Sequence, residues 1–285
     1  MKKLLITGKD SYIGTKVKEW LEKSDNEYLV EELDMQNDFW KEFDFSKYDS
    51  ILHVAGIAHV SADPKLEELY YKVNRDLAIE VANKAKKEKV NQFIFMSSMI
   101  IFGKDGKVGE EKIINASTTP EPIDFYGRSK LEADLEIQKL NSDEFKTVII
   151  RTPMVYGPGC KGNFPRLKKI AKLSPIFPNI ENKRSMIYID NLCEFIKRRI
   201  DSMDSGIFYP QNKEYISTKD IIKVMAESMN KKVYFIKIFN PIIKLLSKKI
   251  NLINKIFGNK VYGKELTDNF DYIVVDNEES IGRSV

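Results

Sequence analysis

The sequence predicts an α/β protein in which a mostly parallel sheet carries helices on both faces and a smaller C-terminal lobe follows. Three observations support this. Short apolar runs alternate with longer amphipathic ones up to residue 151, a glycine-bearing turn follows the first apolar run, and prolines crowd the chain after residue 152. Parallel strands buried on both faces read as continuous apolar runs, and each connection between them must be long enough to hold a helix.

Residues 3–7 read as a short buried strand, residues 14–23 as a helix and residues 28–33 as the next strand. Residues 50–55 are a further apolar strand. Across residues 66–89, Leu69, Val73, Leu77, Val81 and Ala85 recur at near-helical spacing, which predicts one long helix with that stripe turned inward. Residues 90–97 return to strand character, 129–140 to helix and 145–151 to strand. Pro153, Pro158, Pro165, Pro175 and Pro178 then divide the chain into short elements. A lobe starting there is expected to cover a site at the carboxyl ends of the strands. Near the end, Ile238, Ile242, Leu245, Leu246, Ile250, Ile253 and Phe257 stand among lysines in an amphipathic pattern restarted near Pro241. Packing against the second lobe is the expected fate of that stripe, and a peripheral membrane helix is the alternative.

The chain has 285 residues, 42% hydrophobic and 31% charged, which is enough for a full core without the polar bias of extensive disorder. The apolar run at the start is too short for a signal segment, and no run reaches the roughly 18 residues of a membrane span. Cys160 and Cys193 are the only cysteines and His53 and His59 the only histidines, which argues against a disulfide framework or a metal site and for a reducing, cytoplasmic setting. The net charge is +4, yet residues 231–264 hold nine lysines and no acidic residue. That run contains no recognised nucleic-acid-binding motif, so a solvated basic surface is expected and nucleic acid is not an expected partner.

Thr7-Gly8-Lys9-Asp10-Ser11-Tyr12-Ile13-Gly14 follows the first strand directly. Gly8 suits a tight strand-to-helix turn and Gly14 a close helix-to-sheet approach. The backbone N–H groups of Ser11, Tyr12 and Ile13 at the helix start then suit a pyrophosphate, although ordinary turns also use glycine. Asp34, 26 residues beyond Gly8, ends the second strand, where a carboxylate meets an adenosine ribose, or the adenine if the chain between residues 23 and 50 has lost an element. No arginine follows Gly8 until Arg75, so NAD is expected over NADP.

Tyr126-Gly-Arg-Ser-Lys130 places a phenol and an ammonium four residues apart, on one helix face. Lys130 then favours the phenolate of Tyr126, which suits removal of a proton from an alcohol, while Ser98 offers a hydroxyl to the substrate oxygen. Taken singly, Tyr126 reads as a helix-edge aromatic, Lys130 as a surface charge, Ser97 or Ser98 as a cap and Asn74 as a helix interruption. Their order around the glycine turn favours the functional reading.

With these motifs in place, the sequence resembles the extended short-chain dehydrogenase/reductase family, in its nucleotide-sugar epimerase and dehydratase branch. Gly8 and Gly14 fit the glycine motif, with Ser11 in place of its middle glycine. His53-Val54-Ala55-Gly56 and Val73-Asn74 fit cofactor-side segments, Ser97 to Gly103 the serine segment, and Tyr126 with Lys130 the tyrosine-lysine pair. The stretch from Arg151 to Gly159, which includes Pro153, resembles the substrate-loop junction, and Asn163 and Arg184 fall at positions associated with substrate. Taken singly, Asn163 also reads as turn-stabilising and Arg184 as a surface salt bridge. The resemblance covers roughly residues 2–200 and implies a Rossmann-type sheet with a smaller C-terminal substrate lobe. The implied division is 1–152 for the main NAD-binding part, 153–184 for a substrate-lobe insertion, 185–210 for the return and 211–285 for the C-terminal lobe.

The resemblance further implies a catalytic set of Ser98, Tyr126 and Lys130 and a cofactor set of Gly8, Ser11, Tyr12, Ile13, Gly14, Asp34, Val54, Ala55, Gly56, Asn74, Tyr126, Lys130 and Pro153. Substrate contacts are implied for Ser98, Met99, Tyr126, Asn163 and Arg184. The expected reaction is epimerisation at C4 of a UDP-hexose or UDP-N-acetylhexosamine through a 4-keto intermediate, serving polysaccharide biosynthesis. Homodimers are common in the family. Reduction of a nucleotide 4-keto-6-deoxy-sugar by NADH or NADPH is the nearest alternative, and a catalytically inactive nucleotide-binding regulator is the alternative of another class. A dehydratase is disfavoured, because Ser98-Met99-Ile100 lacks the acidic pair that follows the hydroxyl in that group.

Overall fold

The computed structural model describes residues 1–24, 27–58, 63–267 and 269–285, so His59 lies outside the described residues. In chain order the elements are β1 (Lys2–Thr7), α1 (Tyr12–Leu21), β2 (Tyr28–Leu33), β3 (Ser50–His53), α2 (Glu67–Tyr71), α3 (Leu77–Lys87), β4 (Gln92–Ser98) and β5 (Ile113–Ile114). Then come α4 (Phe125–Gln138), β6 (Lys146–Thr152), β7 (Met154–Tyr156), α5 (Asn163–Leu173), β8 (Ile176–Pro178), β9 (Met186–Tyr188), α6 (Ile189–Ser202) and β10 (Gly206–Phe208). The chain ends with α7 (Thr218–Ser228), β11 (Tyr234–Ile236), α8 (Asn240–Ser247), α9 (Asn251–Phe257), β12 (Val261–Tyr262) and α10 (Asn277–Arg283).

The first compact unit comprises Met1–Gly103, Thr119–Thr152 and Leu192–Pro210. It holds a six-stranded sheet in the order β2-β1-β3-β4-β6-β10, parallel throughout. Leu4, Leu5 and Ile6 of β1, Phe93, Ile94 and Phe95 of β4 and Val148, Ile149 and Ile150 of β6 are all fully buried, as expected for strands covered on both faces. Against one face pack Ala78, Val81 and Ala85 of α3 with Ala133 and Ile137 of α4. Each large aliphatic side chain so buried contributes about 1.5–3 kcal/mol. His53 belongs to this core: it stacks on Phe93 and Phe95, and burial pulls its imidazole down to about 3, so it is neutral. The strand order reverses between β1 and β3, the point where sheets of this kind open a crevice at their carboxyl ends.

The helix expected over residues 66–89 is interrupted. α2 and α3 are joined by a wide π turn, Lys72–Asp76, whose extra residue rotates the inward face. Leu69 is consequently exposed and Val73 and Leu77 only half-buried, whereas Tyr70, Asn74 and Ala78 face the interior. The apolar stripe read from the sequence is correct only from Val81 onward. α4 begins four residues earlier than expected, which brings Tyr126 into its first turn.

The second unit comprises Lys104–Thr118, Pro153–Asn191 and Gln211–Val285. Residues 104–118 and 185–191, expected in the first lobe and its returning segment, belong here because β5 pairs with β12 and β9 with β7. Three two-stranded parallel pairs replace a large sheet, and buried polar side chains link them. The Asn212 amide donates to Tyr156 Oη at 2.9 Å and to Asn277 Oδ1 at 2.7 Å, and its oxygen accepts from Tyr188 N. The apolar stripe of residues 238–257 does not pack as expected. Phe257 is buried, but Ile238, Ile242, Leu245, Leu246 and Ile250 are exposed, because the interior side of α8 and α9 is taken by Ser247 and Asn254. Among the described residues, no helix is long and apolar enough to cross a membrane.

Candidate active site

The turn after β1 is shaped by two glycines. Gly8 has φ +120°, and a Cβ there would lie 2.7 Å from Ala55 N, so only glycine lets the turn approach the chain leaving β3. That chain is fixed by hydrogen bonds from Val54 N and Ala55 N to Thr7 O, at 3.0 and 2.9 Å. A Cβ on Gly14 would lie 2.5 Å from Ser11 Oγ and 3.0 Å from Ile6, which accounts for the close seating of α1 on the sheet. Ser11, standing where the family motif has a glycine, is the N-cap of α1, and its hydroxyl accepts from Gly14 N at 3.2 Å. The substitution is thus absorbed by capping. Tyr12 and Ile13 form the first turn of α1, a helix end that favours anions. Asp34 follows β2 half-buried, with its Oδ1 accepting from Gln36 N at 2.9 Å.

Asn74, fully buried in the π turn, holds the backbone of Ile57 from both sides. Its Oδ1 accepts from Ile57 N at 2.8 Å and its Nδ2 donates to Ile57 O at 3.0 Å. This fixes Gly56, where an added Cβ would meet Asn74 Oδ1 at 3.0 Å and Lys130 Nζ at 3.3 Å. Gly56, Asn74 and Lys130 therefore converge from three different elements. The Asn74 amide also reaches Ser129 Oγ at 3.4 Å, and that hydroxyl donates to Tyr126 O, tying the π turn to the start of α4.

Asp124 caps α4 by accepting from Gly127 N at 2.8 Å, which sets Tyr126 in the first turn and Lys130 one turn on. The Tyr126 ring lies edge-on to the buried Tyr70 ring, centroids 5.8 Å apart. Burial pushes the Tyr126 phenol up to about 12, opposed by its hydrogen bond with the Ser98 hydroxyl. Burial pulls the Lys130 ammonium down to about 8, opposed by the Asp134 carboxylate. Lys130 Nζ donates to Met96 O at 3.0 Å and lies 4.8 Å from the Phe95 ring centre. Ser98 ends β4 and its hydroxyl accepts from Ile100 N at 3.3 Å, and Met99 beside it is buried. The arrangement supplies a half-buried phenol able to exchange a proton, a hydroxyl bonded to it and an ammonium one helical turn away.

The remaining expected residues lie in the second unit. Pro153 is buried between β6 and β7. Asn163 is exposed as the first residue of α5, after Gly162 at φ +93°. Arg184 donates from its Nη2 to Asp105 Oδ2 at 3.0 Å and to Asn254 O at 3.1 Å, and its buried Nε has no hydrogen-bond partner among the described residues. Lys260 Nζ approaches the same Asp105 carboxylate at 3.9 Å.

A family model described as the NAD dependent epimerase/dehydratase family matches residues 4–215. The chain belongs to this family. A Vibrio cholerae protein named UDP-glucose 4-epimerase is 30% identical over 308 residues, covering 99% of this chain and 90% of that protein. An Escherichia coli O157:H7 protein named N-acetyl-alpha-D-glucosaminyl-diphospho-ditrans,octacis-undecaprenol 4-epimerase is 24% identical, covering 90% of this chain and 81% of its own. Among solved structures, a Bacillus cereus UDP-glucuronic acid 4-epimerase variant, in complex with a 4-deoxy-4-fluoro analogue of UDP-glucuronic acid and NAD, has the same fold. Its TM-score is 0.72 at 18% identity, covering 99% of this chain and 97% of that one.

As a member of the NAD dependent epimerase/dehydratase family, the chain is a nicotinamide-dependent enzyme, and its residues fit that cofactor. At Gly8 and Gly56 a side chain would fill space beside the turn and beside Lys130, a helix N-terminus follows the turn, and the Asp34 carboxylate follows β2. Two buried residues were missed in the sequence. Asp134 accepts from Ser97 Oγ at 2.6 Å and from Arg151 at 3.0 and 2.9 Å, a two-pronged ion pair beneath the end of β4. Arg151 also donates to Tyr209 Oη at 2.9 Å. The signal was present, since Asp134 continues the helix face of Tyr126 and Lys130 at the same spacing of four, and Arg151 is the one charge in an apolar strand after Lys146.

Proposed function

We propose that the protein is an NAD-dependent nucleotide-sugar 4-epimerase acting on a UDP-hexose or UDP-N-acetylhexosamine through a 4-keto intermediate. The observation that carries the reading is the Tyr126 phenol, hydrogen-bonded to Ser98, with Lys130 one helical turn on and seated against Gly56 and Asn74. The name and 30% identity of the Vibrio cholerae relative support C4 epimerisation as the outcome.

NAD, when bound, supplies the acceptor and donor of the C4 hydride. Tyr126 handles the proton: as phenolate it takes the proton of the C4 hydroxyl, and as phenol it returns one to the 4-keto oxygen. The Ser98 hydrogen bond favours the phenolate against the burial that opposes it. Asn74 holds the Ile57 backbone in place and with it Gly56, beside which Lys130 Nζ lies. Arg184, with its unpartnered Nε and with Lys260 nearby, suits a sugar diphosphate. Arg184→Ala is expected to raise the apparent KM for nucleotide sugar about tenfold or more, with NAD affinity unchanged. Titrations of the two ligands check this, and equal losses would mark general damage instead.

A panel of UDP-hexoses with NAD tests the reaction: sugar interconversion without net NADH formation is expected. Stoichiometric consumption of NADH or NADPH with a 4-keto sugar would favour the reductase reading instead. A second carrier for the sugar diphosphate, a polyprenol, is worth including, because the Escherichia coli relative is named for one and the second unit exposes apolar helices.

A further inference from the structure

Residues 228–264 hold nine lysines and no acidic residue. The imbalance extends through the second unit, which has 23 Lys and Arg against 14 Asp and Glu, net +9, while the first unit has 23 against 28, net −5. Within this basic unit, α8 and its flanks present an apolar stripe to solvent. Ile238, Ile242 and Leu245 follow one another at helical spacing and are 75%, 58% and 66% exposed, and Leu246, Ile250 and Leu252 continue the apolar surface. The polar residues point the other way. Ser247 and Asn254 are buried, Asn254 Nδ2 donates to Ser247 O at 2.8 Å, and Asn240 Nδ2 fixes the start of α8 to Asn179 O at 2.7 Å. A surface helix in a water-exposed protein turns its apolar side inward; α8 does the reverse, and α9 exposes Leu252 while burying Phe257.

We propose that α8 and α9 form a docking surface for an anionic lipid bilayer. Charge complementarity selects this occupant. Lys237, Lys244, Lys248, Lys249 and Lys255 are exposed around the apolar residues, and Lys248 and Lys249 follow Leu245 by three and four positions. They lie where long side chains can lay their stems along an inserted stripe and keep their ammonium groups among lipid phosphates. A second copy would bring like charges together on the same face. With helices of only 8 and 7 residues, the contact is peripheral. This inference does not depend on the proposed reaction.

Vesicle flotation of the full chain tests it, using phosphatidylcholine alone or with about one third phosphatidylglycerol. Binding is expected only to the anionic vesicles and is expected to weaken as salt rises toward about 1 M. Lys248→Gln with Lys249→Gln is expected to lower binding roughly thirtyfold, and Leu245→Asp by about tenfold or more. Both variants should melt as the parent does, since all three side chains are exposed. Equal binding to both vesicle types, or binding indifferent to Leu245→Asp, would overturn the proposal. So would a concentration-dependent dimer in sedimentation that Leu245→Asp abolishes, which would assign the face to a second copy.

Discussion

At Tyr126, burial and a hydrogen bond act in opposite directions on one proton. Burial holds the phenol near 12, so the protein without ligands keeps it protonated at neutral pH, and Ser98 is the neighbour that draws it back. Tyr126→Phe keeps the ring against Tyr70 but removes the proton carrier. Turnover is expected to fall by about 10²–10⁴-fold while the melting curve stays unchanged, as steady-state assays and thermal unfolding would show. Lys130 gives a pH prediction. Its ammonium, lowered to about 8, is charged below that pH and loses its charge above it, so turnover that depends on the charge should decline as pH rises through about 8. Lys130→Arg, whose charge persists, should move that alkaline limb upward in a pH-rate profile. Stability carries the opposite sign. The unfolded chain keeps the proton up to the ordinary 10.5, so between about 8 and 10.5 it binds more protons and this group makes folding more favourable as pH rises.

Among the elements, α4 organises the site through three residues at a spacing of four: Tyr126, Lys130 and Asp134. The first two were legible in the sequence because a phenol and an ammonium at that spacing have a chemical meaning. Asp134 continues the same face, but a carboxylate there has no chemical meaning until its partner Arg151 arrives from β6. Since that pair is buried, Asp134→Ala leaves an uncompensated guanidinium and is expected to cost about 3–5 kcal/mol of stability, read from urea unfolding. Strands were legible for a simple reason: runs such as Leu4 to Ile6 are buried on both faces and need no partner to be recognised. The π turn was not legible, because an i→i+5 turn leaves the residue types unchanged and only shifts which of them face inward. Asn74 was therefore legible as a motif residue but not as the clamp on Ile57. The outward stripe of α8 was misread for a related reason: an amphipathic pattern fixes that two faces differ and says nothing about which one is buried.

On the scale of the whole molecule, the two compact units carry different groups. The first unit brings together the glycine turn, Asn74, Ser98, Tyr126 and Lys130 around the reversal of strand order, and the second carries Arg184, Asn163 and an excess of positive charge. The sequence placed the change of unit after Thr152 because the prolines begin there. It could not assign residues 104–118, whose two-residue strand β5 acquires its place only by pairing with β12. The proposed reaction turns on what happens to the hydride after Tyr126 has taken its proton. The measurement that tests this most directly is a combined assay of UDP-sugar composition and nicotinamide absorbance over one reaction. Interconversion of the C4 epimers with no net change at the NADH band, abolished by Tyr126→Phe, is the predicted result. Stoichiometric oxidation of added NADH or NADPH, or full activity in the Tyr126→Phe protein, would contradict it.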